Sequence, residues 1–130
     1  MDKSYLLDRL RELGIYSTYY HRLELKPLAS VLPYDEVLNC ILTGYYDGQR
    51  RMIAITDSRI LIIAGGALSQ TSVIVIKRSA VQSYRFEKKL LLSKATITAN
   101  DKTYVFAQTQ GSMEKLFNWA MQQPIKELDE

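Results

Sequence analysis

Residues 44–66 read GYYDGQRRMIAITDSRILIIAGG, and the way this stretch divides decides the fold. The apolar segments RRMIAIT and ILIIA are short and rich in β-branched residues, so both read as strands. Asp47-Gly48 is a hairpin turn signal, because both residues tolerate the positive φ angles of a two-residue turn. The tripeptide Asp57-Ser58-Arg59 then connects two strands. Gly65-Gly66 mark the next connection, where positive φ angles are expected. Within the turn Asp57 is the expected hydrogen-bonding residue, supported by Thr56, since short polar side chains reach nearby backbone N–H groups. Arg59 opens a strand, and its guanidinium is expected to pair with a carboxylate or with turn carbonyls. Replacing it is expected to lower stability more than any binding.

Outward from this core the period stays at two. VLNCILTGYY (37–46) is the strand before the hairpin, and TSVIVIK (71–77) the strand after GGALSQ, β-branched on both faces as expected of a central buried strand. AVQSYRF (80–86) is a fifth strand, ending in a charged turn at Glu87-Lys88-Lys89. In LLLSKATITAN, Ala95, Ile97 and Ala99 alternate with Lys94, Thr96 and Thr98, the pattern of a half-buried strand. Asn100-Asp101 turns the chain into KTYVFAQ, a seventh strand.

The two ends change period. Leu6, Leu7, Leu10 and Leu13 form a helical stripe over residues 2–13, with Asp2 or Ser4 as the cap and Gly14 as the stop. Tyr16, Tyr19, Tyr20 and Leu23 extend an apolar face, and Pro27 suits the first turn of a short helix ending near Leu32-Pro33. The tyrosines are expected to pack against the main domain. After Ser112, residues Met113, Leu116, Phe117, Ala120 and Met121 fall on one face of a helix closed by Pro124, with Trp119 at the stripe's edge. The expected architecture is mainly β: about seven antiparallel strands in a split barrel or orthogonal sandwich, one end plugged by the terminal helix. The domain boundaries read as 1–33 for a helical extension, 34–123 for the β domain and 124–130 for a charged tail.

The chain of 130 residues has 47% hydrophobic and 24% charged residues, as expected for one globular domain. Its apolar runs are too short to cross a bilayer as helices, and its charged N-terminus lacks a signal-peptide core, so a cytoplasmic location is expected, with peripheral contact at the inner membrane face as an extension. The net charge of +3 is uneven. Residues 50–102 carry ten basic and three acidic side chains, while both flanks are net acidic. Such a block attracts anionic lipid, nucleic acid or an acidic partner, or forms the solvated outside of a sheet.

Catalytic chemistry has little to work with. His21 is the only histidine and Cys40 the only cysteine, so no histidine dyad, disulfide or cysteine-based zinc site is available. Asp47, Asp57 and Asp101 each sit in a turn that accounts for them. Gly65-Gly66 has neither the lysine of a P-loop nor dinucleotide-fingerprint spacing. Ser69 and Ser112 have no base nearby in sequence. A non-enzyme without metal or cofactor is expected.

The motif order resembles the bacterial pleckstrin-homology-like domains, in particular the YokE-like group. The resemblance rests on Glu36-Val37-Leu38-Asn39 as an E-x-x-L approach strand shifted by about a residue, and on Ile55-Thr56-Asp57-Ser58-Arg59-Ile60 as the IT-[DN]-x-R-[IL] connection. The hairpin, a basic turn, a T-I-T strand and the terminal helix follow in order, over roughly residues 34–123. The resemblance implies a scaffold that binds phosphoinositide headgroups, peptides or proteins. In phosphoinositide-binding members of the wider superfamily, basic residues on the first hairpin and neighbouring loops grip phosphates. Here that hairpin supplies only Arg50 and Arg51, with Lys102 bordering another turn. Lys77, Arg78, Lys88 and Lys89 fall in connections expected at the other end, and Arg85 lies on the strand between them. These eight residues are the candidate binding surface; Thr56, Asp57, Arg59, Gly65 and Gly66 are the structural turn motif. Bacteria generally lack phosphoinositides, so an anionic membrane surface is the expected lipid target. Each basic residue close to such a surface contributes about 1 kcal/mol. Protein association, including self-association through exposed sheet edges, is the leading expectation. Anionic-lipid attachment comes second, and nucleic acid stacked on Tyr45, Tyr46, Tyr84 and Tyr104 third.

Overall fold

The computed structural model describes residues 1–64 and 72–127. Gly65 and Gly66, and the positive φ angles expected there, lie outside the described residues. Three helices come first: α1 (Lys3–Glu12), α2 (Tyr16–Tyr19) and α3 (Leu25–Val31). Asp2 caps α1 by accepting from the Tyr5 N–H at 2.8 Å, and Gly14 leaves the helix at φ +76°. Leu6 and Leu10 of the predicted stripe are fully buried, with Leu7 and Leu13 packed at their edge. Pro27 lies in the first turn of α3, where a missing N–H costs no intrahelical bond. Tyr19 is buried as expected, whereas Tyr16 and Tyr20 stack on each other at 5.2 Å nearer the surface.

Seven strands follow: β1 (Leu38–Tyr46), β2 (Gln49–Thr56), β3 (Arg59–Ala64), β4 (Ser72–Lys77), β5 (Val81–Glu87), β6 (Ser93–Ala99) and β7 (Lys102–Thr109). A single 3-10 turn, Arg78–Ala80, joins β4 to β5. The terminal helix α4 spans Glu114–Gln122. The strand order is β4-β3-β2-β1-β7-β6-β5, every neighbouring pair antiparallel. Two meanders, β1–β4 and β5–β7, are thus joined by the β1–β7 pairing alone, the open split arrangement expected from the sequence.

The turns have the expected chemistry. Asp47 and Gly48 take φ values of 54° and 75°, Asn100 and Asp101 51° and 63°, so both hairpins close on two left-handed residues. At the seam between the meanders Gly44 is required for contact. A Cβ there would lie 3.0 Å from the Ala107 carbonyl oxygen and 3.0 Å from Thr109 Cγ2.

Residues of both parities in β1, β2 and β3 have no exposure, among them Ile41, Leu42, Ile53, Ala54, Leu61 and Ile62, so both faces of these strands are covered. Leu6, Leu10, Leu25 and Leu28 of the N-terminal helices and Phe117 and Ala120 of α4 belong to the same core cluster. The N-terminal helices are therefore built into the core. β4 is the correction: it ends the strand order, and only Ile76 is buried. β-Branched residues on both faces mark a good strand former; they do not say whether a strand has one neighbour or two.

Candidate functional site

The connection at Asp57-Ser58 is a clamp. Thr56 Oγ1 accepts from the N–H groups of Ser58 (3.1 Å) and Arg59 (2.8 Å) and donates to Glu36 Oε2 at 2.5 Å. Asp57 Oδ1 instead accepts from the Val37 N–H at 3.1 Å, and the Asp57 N–H donates to the Val37 carbonyl at 2.9 Å. Thr56 therefore ties the turn to itself and Asp57 ties it to the approach to β1, reversing the roles expected from the sequence. Arg59 grips Glu36 through both oxygens, Nη2 to Oε1 at 2.7 Å and Nε to Oε2 at 3.1 Å, and reaches the Val31 carbonyl at 3.1 Å. The Glu36 side chain is only 2% exposed, so Arg59 and Thr56 supply the polar partners that burial takes from it.

Arg78 completes the clamp and corrects its assignment to the binding surface. It is buried, with Nη1 donating to the Thr56 carbonyl (3.0 Å) and Nη2 to the Met121 (3.0 Å) and Gln123 (3.1 Å) carbonyls. Its own N–H donates to Ser58. Burial lowers its pKa from the ordinary arginine value, with Asp57 and Tyr84 opposing. One arginine thus satisfies two carbonyls where α4 ends, which nothing in the sequence around Lys77-Arg78 signals.

The other basic candidates lie on the surface in separate places. Arg50 donates to Thr43 Oγ1 (3.3 Å), and Arg51 donates to Gln49 Oε1 (3.2 Å) with its guanidinium 6.0 Å from the Tyr46 ring centre. Lys77 faces Arg59 at one end of β3, whereas Arg51 precedes Met52, which faces Ile63 near the other end. Lys102 sits 4.9 Å above the Tyr104 ring and faces Ala99, the last residue of β6. Lys88 and Lys89 lie beyond the opposite end of β6, about 20 Å away for a seven-residue strand. The register therefore does not bring the predicted residues into one cage.

One end does concentrate charge. β5 and β6 close on Glu87 opposite Lys94, and residues 88–92 project beyond that pair. The Lys89 N–H donates to Ser93 Oγ at 3.3 Å, which pins the base of the loop. Arg85 bonds Glu87 at 2.6 Å and Lys94 approaches it at 3.6 Å. Some desolvation acts against ionisation of Glu87, yet the hydrogen bond and charge of Arg85, with Lys94 and Lys89, hold its carboxyl below the usual value. Residues 85–94 read RFEKKLLLSK, four basic side chains against one acidic. Leu90, Leu91 and Leu92 complete this loop, exposed by 99%, 88% and 54%. In the sequence, three consecutive leucines between lysines fit no strand alternation, and that is the signal they carry.

Clefts of about 310–350 Å³ among the described residues include two away from this end and one that Arg85 borders. One lies between α1 and the start of β1 beside Tyr5, Tyr34 and Val37, one between β5 and the end of α4, and one over Ser83, Tyr84, Arg85 and Thr96. His21 is exposed against Tyr20, and Cys40 is fully buried, its thiol pushed well above the usual range by burial. Among the described residues no three His, Cys, Asp or Glu side chains are grouped to hold a metal ion, and no helix is long and apolar enough to cross a membrane.

Comparison with known proteins identifies a family. The family described as bacterial PH domain matches residues 32–121. The chain is similar to the crystal structure of a pleckstrin homology domain from Shewanella amazonensis SB2B, with 16% identity and TM-score 0.48, covering 72% of this chain and 82% of that one. It is also similar to a DUF1696 family protein with a pleckstrin-homology domain from Shewanella loihica PV-4, with 14% identity and TM-score 0.45, covering 72% and 90%. No curated protein matches. The family match runs from the end of α3 through α4, well over half of the chain, and this chain belongs to the bacterial PH domain family.

Proposed function

We propose that the chain is a non-catalytic binding module that attaches peripherally to anionic bilayer surfaces through the β5–β6 end. The observation that carries this reading is the charge of residues 85–94: four basic side chains and one acid on a projecting hairpin end. A flat anionic surface suits this end better than a single headgroup does. Of the four basic residues only Arg85 borders one of the clefts described, while Lys88, Lys89 and Lys94 line none of them, and Arg50 and Arg51 of the first hairpin are engaged with Thr43 and Gln49. A non-catalytic role is supported by where the reactive residues lie: Cys40 is sealed in the core, Glu36 is consumed by the clamp, and Asp57 holds the backbone of Val37.

Sedimentation with vesicles of phosphatidylglycerol mixed with phosphatidylcholine tests the reading. Binding is expected at low ionic strength and weakens as salt screens the lysines; no binding at low salt rejects it. Protein association, placed first from the sequence, is favoured by a separate observation. Among the described residues β4 is the last strand of the sheet, with Val75 half exposed, and a sheet edge is where another strand can pair. Light scattering over a range of concentrations tests this second reading, and a strict monomer removes its self-association form.

A further inference from the structure

We propose that Leu90, Leu91 and Leu92 are a membrane-inserting tip, entering the acyl region while Lys88, Lys89 and Lys94 stay at the phosphate level. This rests on reading the β5–β6 end as the bilayer contact, and adds what charge alone does not supply: depth.

The exposures carry the inference. Leu90 and Leu91 are 99% and 88% exposed, while no other exposed large hydrophobic side chain of the described residues exceeds 62%. Singly exposed apolar residues are ordinary on protein surfaces; three in a row at a loop tip are not. The loop is not loose for want of anchoring either. Its ends are fixed by the Glu87–Lys94 pairing, by the Lys89 bond to Ser93, and by Lys88 packed beside Gly111. The domain thus holds the leucines out in water when its own core, continuous from α1 to α4, accepts leucine readily.

The flanking residues identify the occupant. An apolar tip ringed by cations matches an anionic bilayer, whose acyl chains take the leucines and whose phosphates take the lysines. Lysine stems also follow apolar surface while the ammonium group stays in the headgroup layer. A water-filled headgroup pocket would leave the leucines unpaired, and an acidic protein surface would leave them beside charge.

The test uses the full chain and vesicles of phosphatidylglycerol mixed with phosphatidylcholine. Leu90→Ser/Leu91→Ser is expected to lower vesicle partitioning at least about tenfold, equivalent to 1.4 kcal/mol, with an unchanged thermal unfolding midpoint. Leu91→Cys carrying an environment-sensitive fluorophore reads depth directly. Labelling is selective because Cys40 has no exposure. Emission is expected to shift to the blue on vesicle addition and to be quenched by nitroxides placed in the acyl chains. A serine variant that binds like the parent, or a label that stays unquenched while the chain sediments, overturns insertion and leaves charge-driven attachment standing. Failure of the parent chain to bind at low salt overturns both. If the parent self-associates and the serine variant becomes monomeric without loss on vesicles, the leucines are an interface between copies and insertion is wrong.

Discussion

The clamp around residues 56–59 and the loop at residues 88–92 invert one another. In the clamp, the charged side chains of Glu36 and Arg78 are buried and Arg59 is mostly so, and the guanidinium groups are engaged: Arg59 on Glu36 and Val31, Arg78 on three carbonyls. In the loop, apolar side chains that normally fill a core stand in solvent, flanked by lysines. Burying a charge is tolerable only when it is paired and hydrogen-bonded, so the clamp's residues are committed to holding the fold. Exposing leucine forfeits burial that the folded chain could otherwise gain, so the loop's residues are available to something outside it.

The contrast breaks most visibly at the clamp. Arg59→Ala leaves the Glu36 carboxylate buried beside Thr56 alone, and chemical denaturation is expected to show a loss of about 3–5 kcal/mol. At temperatures where the variant stays folded, vesicle binding is expected to match the parent; a binding loss with stability intact would make Arg59 a ligand residue. Arg78→Ala strips three carbonyls of their donor, and a loss of about 3 kcal/mol in the same measurement is expected, since hydrogen bonds to charged groups are the stronger kind. Surface basic residues should not behave this way, so a neutral Arg78→Ala would return it to the binding set.

The loop should respond in the opposite sense. Leu90→Ser/Leu91→Ser is expected to cost at least about tenfold in vesicle partitioning and to leave the unfolding midpoint in place, as read by sedimentation and thermal denaturation. The smallest effect is expected of single lysines. Lys88→Ser and Lys89→Ser should each weaken partitioning about fivefold at low salt and lose most of that difference at high salt. A salt-independent loss would point to packing rather than charge.

Much of the fold was legible because local rules and the tertiary structure agreed. Asp47-Gly48 and Asn100-Asp101 take the left-handed conformations their residue types favour, and the stripe buries Met113, Phe117, Ala120 and Met121 with Leu116 half-buried at its edge. The partner of Arg59 was legible only as a choice between a nearby carboxylate and turn carbonyls, and the structure gives it the Glu36 carboxylate and the Val31 carbonyl. The identity of the carboxylate was not legible, because Glu36 lies 23 residues away in sequence. Arg78 was misplaced for a related reason. An arginine beside a lysine in a short connection reads as surface charge until α4 ends against it and presents two bare carbonyls. β4 looked central because Val73, Ile74, Val75 and Ile76 favour a strand anywhere in a sheet.

Periodicity, turn residues and composition by themselves determined seven strands, a terminal helix and a helical lead-in, since each depends on interactions within a few residues. Which charges are structural, which strand ends the sheet, and that three leucines stand outside the core were decided only by tertiary structure. Burial belongs to the whole surface: the same Leu-Leu-Leu would be core wherever another element covered it, and here no described element does.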